Sequence, residues 1–218
     1  MEKDFIEFML DSGVLKFGEF TTKSGRLSPY FINTGLYNTG KKLFKLGGYY
    51  ADTLYQAVKD NDGYDALFGP AYKGIPLAAM TAAVLSSKYG IDKGYFFNRK
   101  EAKDHGEGGS FVGYVPAPGK KAVIIEDVIT AGTAVREVMP LLDALGIKVS
   151  DMIISVNRAE KGANGTKSAV SEIFEEFGIR VHSIVNVYDI YEYMKNSEAY
   201  AKYASLMESY MDRYCEKL

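Results

Sequence analysis

The sequence predicts an α/β fold: a central, mostly parallel sheet flanked by helices, with a small N-terminal α+β appendage. Three observations carry this. Short apolar runs are repeatedly followed by a glycine-bearing loop and then a helical pattern, at 65–88 and again at 122–145. The run Val123 to Ile125 is apolar on consecutive positions, as in a strand covered on both faces, so its loop opens at the carboxyl edge of a parallel sheet. Two β-rich pieces, 16–22 and 27–33, stand outside that rhythm and read as an antiparallel cap over one end of the domain.

Taken in order, residues 4–10 are rich in apolar side chains and end near Gly13, a short first helix. The cap strands follow, joined by Lys23-Ser24-Gly25-Arg26, and residues 1–38 are expected to form a hood over a core of 39–218. Thr39 is placed to cap a helix from about 40 to 59, on which Leu43, Phe44, Leu46, Tyr50, Leu54 and Val58 make an apolar stripe. A strand from Asp65 runs into Gly69-Pro70-Ala71-Tyr72-Lys73-Gly74, then a helix over about 75–88. The strand 94–98 leads into Arg99-Lys100-Glu101-Ala102-Lys103-Asp104-His105-Gly106-Glu107-Gly108-Gly109-Ser110. That segment reads either as an exposed loop or two-stranded excursion, or as a glycine-hinged cationic lid. A helix over about 134–145 stops at Gly146, a strand spans 149–158, and a helix covers about 168–177. A strand at 181–187 and a terminal helix from about 197 complete the chain, and Tyr200, Tyr203, Ala204, Met207, Met211 and Tyr214 share one face of that helix as packing. His182 reads as a structural histidine.

Composition limits the function classes. With 218 residues, 47% of them hydrophobic, the chain can bury a core as one globular unit. A formal net charge of −2 gives no electrostatic case for nucleic acid or an anionic membrane as partner. Cys215 has no second cysteine to pair with, which favours a reducing compartment, and two histidines, His105 and His182, do not make a structural zinc site. The N-terminus lacks a signal layout and no apolar run reaches membrane-spanning length, so a cytoplasmic protein is expected.

The chemistry concentrates after Ile125. Thr130, Ala131, Gly132 and Thr133 are small enough for several backbone N–H groups to converge on one anion, with two hydroxyls and a helix start behind them. Glu126 and Asp127 are acceptors, unsuited to phosphate but suited to sugar hydroxyls or a hydrated Mg²⁺. A ligand with a phosphate at one end and a diol nearby is a ribose 5-phosphate. An acidic strand end and a Thr/Gly turn are also common structural features. Residues 69–76 have glycines but no Gly-Lys-Ser/Thr ending, and no G-x-G-x-x-G follows a strand, so neither a Walker loop nor a dinucleotide site is expected. Lys73 is either a surface lysine or, beside Gly74 and a helix start, a holder of diphosphate. Arg158, at a strand end, is solvated or paired, or its fork meets a carboxylate or a pyrimidine carbonyl.

Residues 123–137 resemble the phosphoribosyl pyrophosphate signature of type I phosphoribosyltransferases, most closely in the form seen in orotate phosphoribosyltransferases. Residues 99–108 likewise resemble that family's mobile catalytic loop. The resemblance covers nearly the whole chain and implies the type I phosphoribosyltransferase fold, with no decarboxylase partner of the kind fused to this activity in some organisms. It implies that Val128, Ile129, Thr130, Ala131, Gly132, Thr133 and Ala134 hold the 5-phosphate, and that Glu126 and Asp127 face the ribose. Many relatives carry aspartate where Glu126 stands. It further implies that Tyr72, Lys73, Arg99, Lys100, Lys103 and His105 contact the diphosphate, with a non-proline cis peptide near Ala71-Tyr72. By the same resemblance, Lys23 is expected to contact ligand, Phe31 and Ile32 to lie against the orotate ring, and Thr130 and Arg158 to bind orotate. Lys103, His105 and Asp127 are the implied catalytic residues. Mg²⁺ is expected to be held mainly by substrate, with Glu126 and Asp127 reaching it through water. Family members are homodimers, which puts loop 99–112 in the neighbour's site. Two alternatives remain on the same fold: a phosphoribosyltransferase for another base, and a regulatory protein that binds phosphoribosyl pyrophosphate.

Overall fold

A computed structural model of the chain describes residues 1–21, 25–58, 63–101, 110–162 and 165–217. Six strands form one sheet in the order β5-β4-β3-β6-β7-β8: β3 Ala66–Phe68, β4 Gly94–Asn98, β5 Phe111–Gly113, β6 Lys121–Ile125, β7 Lys148–Asn157 and β8 Arg180–Asn186. All neighbours are parallel except β4 and β5. Chain order reverses between the adjacent strands β3 and β6. In open α/β sheets the crevice at such a reversal receives ligand.

Alternation along the strands divides the core in two, because successive side chains leave opposite faces of a strand. Leu67, Val123, Ile125 and Ile153 join one apolar cluster, with α1 Glu2–Asp11, α2 Gly40–Val58, α3 Gly74–Tyr89, α6 Val187–Lys195 and α7 Ala204–Tyr214. Ala66, Phe68, Ala122, Ile124, Met152 and Ile154 join the other, with α4 Thr133–Ala144 and α5 Ala169–Phe177. The central, mostly parallel sheet expected from the sequence is therefore present, with both faces covered by helices. Outside the sheet, β1 Leu15–Thr21 and β2 Leu27–Ile32 pair antiparallel with an irregularity between Phe17 and Phe20. β2 packs on α7 through Tyr30 and Tyr210, while α1 packs into the first core cluster through Phe5, Ile6 and Met9.

Local signals explain most boundaries. The Thr39 hydroxyl accepts from the Lys42 N–H at 3.3 Å, the capping expected for α2. The apolar stripe of that helix is corrected at one position: Phe44 is 60% exposed, and Gly47, Ala51 and Thr53 are buried with Leu46, Tyr50 and Leu54. Ser168 caps α5 by accepting from the Ser171 N–H, and Gly178 closes it in the left-handed region. Two elements depart from expectation. Val187 opens α6 and does not end a strand; Asn186 and Asp189 form a reciprocal capping box at its start. The terminal helix begins later than 197, at Ala204, after a 3-10 turn at Ala201–Tyr203.

Away from the ligand edge, Asp151 on β7 is 2% exposed and accepts from Arg180 Nε at 3.1 Å, Arg180 Nη2 at 2.9 Å and Ser150 Oγ at 2.7 Å. His182 Nε2 lies 2.8 Å from it, so this histidine is structural, as its position on a strand led us to expect. Burial alone would raise the Asp151 pKa, but the bonds from Arg180, His182 and Ser150 outweigh it and hold the carboxyl below its ordinary range. A depressed carboxyl pKa stabilises the fold above the unfolded-state value and loses that contribution as pH falls through the folded value. Asp151→Asn should therefore cost about 1–3 kcal/mol at pH 7. In urea denaturation the gap from wild type should shrink below about pH 4; a gap that persists undiminished in acid would show that the carboxylate charge is not the stabilising feature.

Candidate active site at the sheet reversal

Two loops meet where the strand order reverses. The first follows β6, and its backbone is pinned from several sides. Glu126 N–H donates to Ile153 O at 3.0 Å, and the Tyr50 hydroxyl of α2 donates to Glu126 O at 2.7 Å. Ser155 donates to Asp127 O through both its N–H, at 2.8 Å, and its hydroxyl, at 2.6 Å. With its main chain fixed, the acidic doublet presents two unlike carboxylates. Asp127 Oδ1 accepts from Val128 N–H at 2.7 Å, and Oδ2 accepts from Lys73 Nζ and Thr34 Oγ1, each at 2.8 Å. Burial opposes its charge, yet the bonds from Lys73, Thr34 and Val128 prevail and lower its pKa. Glu126 is as buried as Asp127, and its Oε1 accepts from Asp127 N–H at 2.9 Å. Burial pushes its pKa up, the Asp127 N–H partly opposes the shift, and the neighbouring Asp127 charge adds to it. The two carboxyls are thus shifted in opposite directions.

Beyond Asp127, Val128 to Val135 wrap a cavity of about 220 Å³ that Glu126 and Met152 also line. Gly132 takes φ +69° as the residue before α4, a conformation that side chains other than glycine rarely adopt. The positive end of α4 faces this turn, so the cavity suits an anion. From outside, Arg136 Nη1 donates to Ala131 O at 2.6 Å, while its Nε and Nη2 bond Glu176 and Glu172 of α5 at 2.7 and 3.0 Å. The turn is thereby tied to a second helix.

The other loop follows β3. Its Ala71-Tyr72 peptide is cis, as the resemblance implied. Ala71 N–H donates to Asn98 Oδ1 at 2.9 Å, fastening the loop to the end of β4. Gly74 leaves no room for a side chain: a Cβ there would lie 2.7 Å from Pro70 Cδ, 2.8 Å from Ile125 O and 2.9 Å from Gly69 C. That contact brings Lys73 beside Asp127. A second cavity, of about 180 Å³, opens behind the Lys73 and Asp127 pair, between Thr34, Tyr37, Tyr50 and Leu77.

Of the residues singled out in the sequence, Glu126, Asp127, Lys73 and the turn 128–134 come together at this edge. Tyr72 is 71% exposed beside them. Lys100 pairs with Glu137 of α4 at 3.0 Å, and Arg99 N–H donates to Ser110 O at 2.7 Å where the chain returns into β5. That return gives the segment a two-stranded base. Phe31, exposed on β2, stacks obliquely on Phe20, and Ile32 is its half-buried neighbour. Arg158 is bound to Glu160 and Tyr30. Lys23, Lys103 and His105 lie outside the described residues. Sequence reasoning missed Thr34, which joins the hood to Asp127 and Lys73, and it missed Asn98, Arg136 and Glu160. Only Asn98, a polar residue ending a strand beside the reversal, carried a local signal.

Residues 37–185 match the family model described as "Phosphoribosyl transferase domain". Orotate phosphoribosyltransferase of Actinobacillus pleuropneumoniae serotype 5b is 49% identical over 211 residues, which cover 97% of this chain and 96% of the relative. That of Pseudomonas putida strain F1 is 50% identical over 213 residues, covering 98% and 97%. A crystal structure of orotate phosphoribosyltransferase from Francisella tularensis superposes with a TM-score of 0.86 at 44% identity, over 98% of this chain and all of that one. An anion cradle after an acidic doublet, a lysine set against Asp127 and relatives of this closeness along nearly the full length agree: the chain belongs to the orotate phosphoribosyltransferase family of type I phosphoribosyltransferases.

Proposed function

We propose that the chain transfers the ribose 5-phosphate unit of phosphoribosyl pyrophosphate to N1 of orotate, giving orotidine 5′-monophosphate and pyrophosphate in UMP biosynthesis. The observation that carries this reading is the junction of the cradle at 128–135 with the Lys73 and Asp127 pair at one sheet edge. A sugar bearing phosphate at C5 and diphosphate at C1 needs that combination.

As the C1–O bond to diphosphate loosens, N1 of orotate approaches from the opposite face and positive charge grows on the ribose. Orotate is already an anion, so no protein nucleophile is required and catalysis rests on position and electrostatics. Main-chain N–H groups of 128–134 and the start of α4 hold the 5-phosphate. Asp127, whose charge Lys73 and Thr34 favour, accepts from ribose hydroxyls and favours the growing positive charge. Lys73 exchanges Asp127 for the diphosphate, which Tyr72 also touches, and Arg99, Lys100, Lys103 and His105 offset the leaving charge. Lys103 is the main catalytic cation. Lys23, Phe31, Ile32, Thr130 and Arg158 hold orotate.

Glu126 and Asp127 are adjacent, largely buried acids at the ligand edge, each lining one of its cavities. That donor set fits a Mg²⁺ held mainly by substrate oxygens and reached through water by Asp127 and Glu126. Bound there, Mg²⁺ neutralises diphosphate charge. We assign residues 1–38 to a hood and 99–112 to a flap that closes the site in a neighbouring copy of a homodimer, and we place the protein in the cytoplasm. No helix among the described residues is long and apolar enough to cross a membrane.

Loss of orotate absorbance with phosphoribosyl pyrophosphate tests the reading directly. Turnover should require Mg²⁺, stop with a chelator and be absent with hypoxanthine or uracil; turnover of either of those bases without orotate turnover would refute the assignment. The unequal carboxylates give a second expectation. Asp127→Asn should lower kcat/KM for phosphoribosyl pyrophosphate at least about tenfold more than Glu126→Gln does, because Asp127 is the acid bonded to Lys73 and Thr34 while burial disfavours the charge on Glu126. Equal losses would mean that both acids meet substrate alike. Lys103→Ala should cut turnover by at least about tenfold with an unchanged melting transition, and full activity would remove Lys103 from the mechanism.

A further inference from the structure

The C-terminal helix reaches the ligand edge through one buried polar cluster. Arg158, just beyond β7, donates from Nε to the Tyr30 hydroxyl at 3.2 Å, and its guanidinium carbon lies 5.2 Å from the Tyr30 ring centroid. Arg158 Nη2 is 2.5 Å from Glu160 Oε1, and the same oxygen accepts from the Tyr210 hydroxyl of α7 at 2.6 Å. Tyr30 and Tyr210 are 1% and 3% exposed, and the Arg158 and Glu160 side chains are 20% and 15% exposed. Main-chain bonds close the same junction: Glu216 N–H to Ala159 O and Lys161 N–H to Tyr214 O, each at 2.8 Å, with Glu160 bridged to Cys215. Between the two charged residues, Ala159 sits at φ +50°, the one described non-glycine residue with positive φ. A turn of that kind persists only where its surroundings fix it.

Packing alone accounts poorly for this arrangement. A buried ion pair seldom stabilises a fold more than apolar side chains of the same volume would. What it does supply is direction: a long guanidinium side chain held from two sides has already lost the rotamer freedom that binding would otherwise take. We propose that Glu160 and Tyr210 are positioning residues for Arg158, through which the C-terminal helix sets the affinity for the pyrimidine. This rests on the assignment of orotate to Arg158 made above.

Steady-state kinetics with each substrate varied in turn test it. Tyr210→Phe removes one hydroxyl and keeps the ring; the KM for orotate should rise about three- to tenfold, the worth of one buried hydrogen bond. The kcat and the KM for phosphoribosyl pyrophosphate should stay within about twofold. Glu160→Ala should raise the KM for orotate at least about tenfold, and Glu160→Gln, which keeps an acceptor, should recover most of the loss. Tyr188→Phe, which removes a hydroxyl bond to Glu216 O in the same C-terminal segment, should leave orotate kinetics unchanged. In an Arg158→Ala background Tyr210→Phe should add nothing, since the pair acts through that arginine. An unchanged orotate KM in Tyr210→Phe, an equal rise for both substrates, or the same effect from Tyr188→Phe would overturn the proposal while leaving orotate as substrate. Failure of the wild type to use orotate, or an Arg158→Ala variant with unaltered orotate KM, would instead refute the underlying assignment and the proposal with it.

Discussion

The close approach of Gly74 to the carbonyl of Ile125 is the constraint on which the ligand edge depends. A Cβ at 74 would sit 2.8 Å from that oxygen and 2.9 Å from Gly69 C, both backbone atoms that cannot swing aside. Because the side chain is absent, the loop after β3 lies directly on the end of β6. Lys73 then meets Asp127 of the doublet, and the turn at 128–134 opens next to it. The parallel pairing of Phe68 with Ile124 sets the same register one residue earlier. Two loops distant in sequence are thus fixed by backbone contact, and the side chains they carry need little further adjustment to form one site.

The Lys73 and Asp127 pair at that junction is suited to exchange. Its lysine side chain is 64% exposed and its aspartate 11%. An ion pair with one partner in water is worth about 1 kcal/mol or less. A diphosphate offers Lys73 more negative charge than one carboxylate, and a ribose diol offers Asp127 hydroxyl donors in return. Until then the pair favours the charged form of Asp127, which an isolated carboxylate at that depth would resist. Glu126 illustrates the contrast: one bond from a backbone N–H does not offset its burial, and its pKa rises. The two adjacent acids therefore shift in opposite directions, because of the two it is Asp127 that makes the hydrogen bonds to Lys73 and Thr34.

Much of this was legible in the chain, and for identifiable reasons. Strand, loop and helix units announce themselves by consecutive apolar residues and glycine, and small residues after an acidic pair can form an anion cradle wherever the fold places them. Helix α6 was not legible because Val187-Tyr188-Asp189-Ile190-Tyr191 is rich in β-branched and aromatic residues that favour strands. Its capping box, Asn186 with Asp189, was the competing signal and it prevails. Strand β5 is three residues long and owes its existence to pairing with β4, which no local pattern reports. Thr34 and Glu160 were invisible for a related reason. Each acts through a partner about 50 to 130 residues away, with Thr34 on Asp127 and Glu160 on Tyr210 and Tyr30.

The weak overall charge places the burden of recognition on these local contacts. At a formal net charge of −2, the chain has no positive field at long range to collect a polyanion, and screening confines exposed charges to about 8 Å at physiological salt. On the function proposed above, the substrate's phosphates are held by groups already aimed at them: the N-terminal turn of α4, and Lys73 beside Asp127. Pre-aimed groups need support from behind, and the structure supplies it. Arg136 holds the Ala131 carbonyl, Tyr50 and Ser155 hold the carbonyls of the doublet, and Asn98 holds the loop of Lys73. Each supporting residue comes from a different element, so the edge stays ordered only while both helical layers remain packed on the sheet. Folding and ligand capture are, in this chain, consequences of the same contacts.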